Sequence, residues 1–210
     1  MTTNSNWIVE IPREAMTVKD LQDVMPIEVD ANAPPYWTED EFAKFVVKNN
    51  CHGKMVYLMD SVSKTYIIAP RGGRRFCAGY ACYSFEDRFL RIKKNVVVLQ
   101  KLVVNPLCRR KGVGAAMLAF VISKLRVNAR EPTARLVLPV SIYSSEAHLF
   151  LRDGPLGCRE VGPNFNPKGI RCLWEESDYF GSGHPAYIFY YERKLQLQET
   201  SVISTNEVKL

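Results

Sequence analysis

The chain has 210 residues, of which 47% are hydrophobic and 24% charged, and its formal net charge is +6. That length and balance suit one globular unit with a single sizeable core, and the excess of positive charge favours an anionic partner: a nucleic acid, an acidic protein or a phosphorylated cofactor. No apolar run approaches the roughly 20 residues that span a bilayer, and the start MTTNSNW lacks the basic onset and apolar core of a secretory signal, so a soluble, cytoplasmic protein is expected.

Residues 1–6 read as a flexible start, 7–195 as the folded domain and 196–210 as a polar tail. Trp7 to Ile11 alternates like a short strand, and Val18, Leu21 and Met25 recur at helical spacing over Thr17 to Met25. Pro34 and Pro35 make a loop of Ala31 to Trp37. Thr38 followed by Glu41 then forms a capping box ahead of Phe42, Phe45 and Val46, which announces a second amphipathic helix. Strands are expected over Lys54–Met59, Thr65–Ala69 and Phe76–Phe85, with the turn Pro70–Gly73 between the last two, giving an antiparallel meander. Asn95 to Val104 is β-branched and almost continuously apolar, as befits a central strand covered on both faces. A core-facing helix over Gly112–Val127 carries Val113, Met117, Phe120, Val121 and Leu125 on its apolar positions. A strand over Arg135–Val140, a short helix over Ser145–Arg152 and a closing strand over Ala186–Arg193 complete the order. The fold class is therefore α/β of a mixed kind: a mostly antiparallel sheet with one parallel crossover and helices on both faces.

Six cysteines (51, 77, 82, 108, 158 and 172) contain no C-x-x-C pair and read as buried, reduced thiols. His52, His148 and His184 have no mutual ligand spacing, so no metal is expected.

The most informative stretch is VNPLCRRKGVGAAML, Val104 to Leu118, where a strand ends, a basic turn comes next and a helix begins. The first turn of a helix leaves backbone N–H groups unpaired and carries the positive end of the dipole, so it attracts phosphate. Gly112 and Gly114 let a diphosphate approach the backbone, and Arg109, Arg110 and Lys111 supply compensating charge. A nucleotide P-loop would need G-x-x-x-x-G-K-[ST], and a dinucleotide fingerprint would need a third glycine where Met117 stands.

With Arg109, Gly112 and Gly114 in the pattern R/Q-x-x-G-x-G/A, preceded by V-x-P at Val104–Pro106, the sequence resembles the GNAT superfamily of N-acetyltransferases over roughly residues 7–195. Within it, the order of Trp37 and Phe42, the segment SSEAHLFLR and Asp178-Tyr179-Phe180 look most like the enzymes that acetylate a ribosomal-protein N-terminal alanine. The resemblance implies acetyl-CoA as co-substrate, its diphosphate on Arg109, Arg110, Lys111, Gly112, Val113, Gly114 and Ala115. It also implies that the pantetheine arm pairs with the strand at Leu102, Val103 and Val104, that Ser144 stands beside that arm, and that the parallel strand pair is splayed. An amine, first a peptide or protein N-terminus and second a lysine or small molecule, is the implied acceptor.

The proton-handling positions depart from that group: Pro139 stands at its glutamate and Leu151 at its tyrosine. Neither moves a proton. Tyr143 is the first choice for protonating the leaving thiolate, Tyr179 the second, and a water relayed to Glu86 or Asp87 the alternative. Cys108 beside three cations reads as a bystander. Two other classes stay open at this point: a catalytically silent acyl-CoA-binding domain, and an RNA- or ribosome-binding module using Arg71, Arg74 and Arg75.

Overall fold

Thirteen residues, Ile92–Val104, form the strand around which the rest is arranged. The computed structural model describes residues 7–31, 37–67, 75–127, 132–141, 147, 170–177, 179 and 184–194. In chain order the elements are β1 (Trp7–Glu10), α1 (Leu21–Ala31), α2 (Glu39–Val46), β2 (Cys51–Asp60), β3 (Cys77–Phe89), β4 (Ile92–Val104), α3 (Val113–Ser123), β5 (Thr133–Ser141), β6 (Ile170–Glu176) and β7 (Ala186–Lys194). One seven-stranded sheet runs β1-β2-β3-β4-β5-β7-β6. Every pairing is antiparallel except β4 with β5, which are joined through α3.

Helices cover both faces, as expected. On one, Val113, Met117, Leu118 and Val121 of α3 pack on Val97, Leu99, Leu136, Leu138 and Phe189. On the other, Leu21, Val24 and Ile27 of α1 and Phe42 and Phe45 of α2 pack on Met55, Tyr80, Cys82 and Val103. A third cluster on that second face gathers Ile92, Val96, Val98, Val137, Ala186 and Ile188. The alternation of Val96 and Val98 against Val97 and Leu99 is what a strand buried on both faces requires.

Two features of β4 set the geometry at the middle of the sheet. Its pairing with β5 is confined to Val96–Val98 against Arg135–Val137 and ends there. Against β3, Cys82 faces Lys101 while Tyr83 faces Leu99, so Gln100 is an extra residue, a β-bulge. The bulge resets the alternation: Leu102 and Val104 return to the α3 face, whereas Val103 joins the α1/α2 cluster.

Several elements differ from the sequence expectation. Helix α1 does not stop before Pro26 but runs through it to Ala31; Leu21, Val24 and Ile27 form its buried face, Met25 packs against it partly buried, and Val18, before the helix, is 48% exposed. Burying three aliphatic side chains at roughly 1.5–3 kcal/mol each outweighs the hydrogen bond that proline removes. Of the strand expected over Thr65–Ala69, Thr65–Ile67 makes a single bridge, Met59 to Tyr66, and Ile68 and Ala69 lie outside the described residues. Strand β6 has no counterpart in the sequence expectation. The turn Pro70–Gly73 lies outside the described residues, as does the short helix over Ser145–Arg152 except Ala147.

Candidate active site

The basic turn is anchored from behind. Asn105, buried at the end of β4, donates from its side-chain amide to the Cys77 carbonyl at 3.2 Å, and its own oxygen accepts the Leu107 N–H at 3.0 Å. Its backbone N–H reaches the Ala78 carbonyl at 2.9 Å, so Asn105 ties the turn to β3 through both its side chain and its backbone. Gly79 allows this closeness: a Cβ there would lie 2.5 Å from the Val103 carbonyl oxygen.

Beyond Asn105 the backbone turns sharply. Arg110 (φ 62°) and Gly112 (φ 80°) both occupy the left-handed region, a geometry that aims successive N–H groups to one side as an anion-binding nest. Gly112 is the N-cap of α3 and no side chain caps the helix start. The N–H groups of Val113, Gly114 and Ala115 precede the first helical bond, from the Ala116 N–H to the Gly112 carbonyl at 3.0 Å. Apart from its own neighbouring backbone, no described residue lies within 4 Å of where a Gly112 Cβ would sit. These features fit a diphosphate: an open approach, oriented donors and nearby cations. The cations are not equivalent, however. Lys111 donates to the Leu107 carbonyl at 3.1 Å and sits 5.0 Å from the centre of the Trp7 ring, on the molecule's own groups. Arg110 is exposed.

Beside the turn, β4 and β5 part after Val98 and Val137, so Leu99–Val104 keeps β3 on one edge and has no β5 residue paired on the other. An extended chain entering there would find strand-like donors and acceptors along Leu102, Val103 and Val104. Pro139 lies on β5 just past the end of that pairing, opposite Ile188 of β7. A proline that lacks an N–H is tolerated where one strand edge has lost its neighbour.

The remaining candidates are dispersed. Glu86 sits on β3 opposite Val96, where β4 and β5 are still paired, and accepts a hydrogen bond from the Asn50 side chain at 3.4 Å. It is thus at the closed end of the strand pair, away from Leu102–Val104. Tyr179 packs on the third cluster with its ring centre 6.1 Å from that of Phe89, and burial pushes its phenol far up, so it is a neutral donor. Tyr143, Ser144 and Leu151 lie outside the described residues. Cys108 is buried and its thiol is pushed up by burial, against a smaller opposing effect of Lys111. Arg75 lies over the Tyr66 ring at 4.1 Å, while Arg71 and Arg74 fall outside the described residues.

Sequence reasoning missed a buried polar cluster beside the opened strand. Glu28 of α1, 0% exposed, accepts from Lys101 Nζ at 2.5 Å, from the Trp37 N–H at 3.1 Å and from the Tyr80 hydroxyl. Burial, then the neighbouring Glu28 carboxylate, drives the Tyr80 phenol well above its ordinary value, which keeps it a donor. A glutamate at helical spacing next to Ile27 was the available signal.

Residues 24–134 match the family model described as the acetyltransferase (GNAT) family. Among solved structures, the ribosomal-protein-S18-alanine N-acetyltransferase of Escherichia coli is similar at 18% identity, with a TM-score of 0.57, covering 91% of this chain and 98% of that one. NAA60 of Arabidopsis thaliana, solved with a bisubstrate analogue, gives 15% identity and a TM-score of 0.60 over 89% of this chain and all 100% of its own. A variant of spermidine N-acetyltransferase SpeG from Vibrio cholerae gives 13% and 0.53 over 90% and 95%. No curated protein matches the sequence.

Proposed function

We propose, from the premise that this chain belongs to the acetyltransferase (GNAT) family, that the amine it acetylates is the free α-amine of a protein or peptide. The protein is an acetyl-CoA-dependent acyltransferase acting on an amine; the α-amine is the finer assignment. The observation that carries it is Pro139, which occupies the β5 position where the family resemblance places a basic glutamate. An acceptor that is already neutral suits a site without that carboxylate. An α-amine, with a reference pKa of about 8, is neutral in roughly one molecule in ten at pH 7, whereas a lysine amine is neutral in about one in a few thousand. Similarity in fold to the S18-alanine enzyme and to NAA60 supports the reading.

In this reading Arg109, Arg110 and the N–H groups of Val113, Gly114 and Ala115 hold the cofactor diphosphate over the open Gly112, with Lys111 setting the turn's shape through Leu107 and Trp7. Leu102, Val103 and Val104 present backbone groups to the pantetheine arm, and Ser144 adjoins it. Acetyl-CoA supplies the activated acyl group and a thiolate leaving group. The chain's part is to orient that thioester, to exclude water from the strand opening and to return a proton to the thiolate, a task assigned first to Tyr143 and second to Tyr179. Tyr179, whose ring lies against Phe89, and Glu86 are both toward the closed end and serve only through intervening water.

The experiment is release of free coenzyme A with three probes: a peptide beginning with alanine, the same peptide with a blocked N-terminus and an internal lysine, and spermidine. Release with the first alone is expected. Release with either of the others and not with the first would move the acceptor to a lysine or a small polyamine.

A further inference from the structure

The buried charge at Glu28 and Lys101 has no part in holding the cofactor diphosphate, and burying it is costly. Two apolar side chains of similar volume would join α1 to β4 at least as firmly, since desolvating a carboxylate and an ammonium consumes most of what their attraction returns. Yet the carboxylate is 0% exposed and the ammonium's side chain 12%. Its position in the strand suggests what the charge does. Lys101 is the first residue after the bulged Gln100, and the bulge alone decides that Lys101 and Val103 turn toward α1 while Leu102 and Val104 turn toward α3. Were the bulge to anneal, shifting the pairing beyond it by one residue, every side chain from 101 to 104 would change face. Leucine and valine would accept either face. A lysine would not, because the other face is the apolar cluster of Val97, Leu99, Met117 and Leu136.

We propose that the Glu28–Lys101 pair is a register lock: it pins the bulge at Gln100, and so fixes which backbone N–H and C=O groups of Leu102–Val104 point into the opening beside β5. The Tyr80 hydroxyl and the Trp37 N–H hold the carboxylate in place for that purpose, from β3 and from the residue before the α2 cap. Glu28 and Lys101 are positioning residues. In an antiparallel strand only alternate residues direct their N–H and C=O to a given neighbour, so a one-residue slip would turn the cofactor-facing groups back toward β3. The proposal rests on β4 being the strand that receives acetyl-CoA.

The test uses the full chain and two readouts. The first is amide hydrogen exchange along residues 101–104 by NMR without ligand. In the wild type, alternate amides are protected by β3, with a contrast of at least about tenfold between neighbours. The second is the acetyl-CoA dissociation constant by titration calorimetry. The apolar pair E28L/K101M is expected to melt within a few degrees of the wild type, to lose or reverse the wild-type alternation and to bind acetyl-CoA at least about tenfold more weakly. The conservative K101R should keep both readouts near wild type. The same amides protected in E28L/K101M as in the wild type overturn the lock; lost or reversed alternation with unchanged acetyl-CoA binding overturns its service to the cofactor. Should the apolar pair fail to fold, E28Q carries the same readouts with the same directions, and no change in either refutes the proposal. Wild-type protein that does not bind acetyl-CoA would remove the cofactor assignment, while the exchange contrast would still decide the lock.

Discussion

Gly112 and Lys54 show how differently a single residue can matter in this molecule. At Gly112 the requirement is conformational: φ is 80°, and there is open space where a side chain would go. Gly112→Trp should therefore fill the approach to the turn and raise the acetyl-CoA dissociation constant at least about tenfold. The strain of a left-handed non-glycine residue, roughly 1–2 kcal/mol, would appear separately in urea denaturation. Arg109→Glu should weaken binding comparably. Lys54 is a scaffold residue instead. Its Nζ donates to the carbonyls of Pro12, Arg13 and Glu14 at 3.2, 2.5 and 2.7 Å and straps the segment after β1 onto β2. Lys54→Met should cost about 2–3 kcal/mol by urea denaturation, since it orphans three carbonyls while keeping the alkyl stem. The basic turn could be recognised from adjacent residues because its chemistry is local. The Glu28–Lys101 pair could not, because its partners are 73 residues apart and only the sheet brings them together.

At the scale of elements, α2 is the piece best foretold by its own sequence. The Glu41 N–H donates to the Thr38 hydroxyl at 3.3 Å and the Glu41 carboxylate accepts the Thr38 N–H at 2.7 Å, so both partners of the cap lie within one turn. The bonds its carboxylate accepts, first from the Thr38 N–H and then from the Thr38 hydroxyl, hold the Glu41 carboxyl below its ordinary value of 4.5. As pH falls the unfolded chain takes up that proton first. The cap's contribution is thus complete above about pH 4.5 and is lost as pH drops through the lower, folded value. Thr38→Ala should cost about 1 kcal/mol near neutrality and flatten the acid limb of a stability-versus-pH curve, measured by urea titration at each pH. Elsewhere local signals misled. Pro26 reads as a helix stop, yet the buried face of Val24 and Ile27 carries α1 past it. Thr65–Ile67 has strand-like side chains but meets β2 at a single bridge. The run NVVVLQKLVV looks like an uninterrupted strand, because a bulge is defined by the partner it is measured against.

For the whole molecule, an antiparallel meander followed by one helical crossover could be read from the alternating patterns, while β6, the place of β7 between β5 and β6, and the partial pairing of β4 and β5 had to be seen. A ligand bound by the native state alone stabilises it by about 2.7 kcal/mol at 100 times its dissociation constant, which for a chain of this size raises the melting temperature by roughly 5–10 °C. Acetyl-CoA and coenzyme A should both produce such a shift in scanning calorimetry, and ATP at equal concentration should not, because it has no pantetheine arm to lie along β4.

The early parting of β4 from β5 also bears on how the protein behaves on the shelf. Sheets usually confine their unsatisfied strand edges to the two outermost strands, where charges and short lengths deter intruders. Among the described residues a length of such edge lies in the middle of the sheet, flanked by Leu99 and Leu102, and the charge nearest along that strand, Lys101, is committed to Glu28. A purified sample stripped of coenzyme A therefore offers another chain's extended segment a ready berth, and concentrated apo protein should form higher-order species that added coenzyme A suppresses in light scattering. Keeping the cofactor in every buffer would then be a matter of preventing that association as much as of preserving activity.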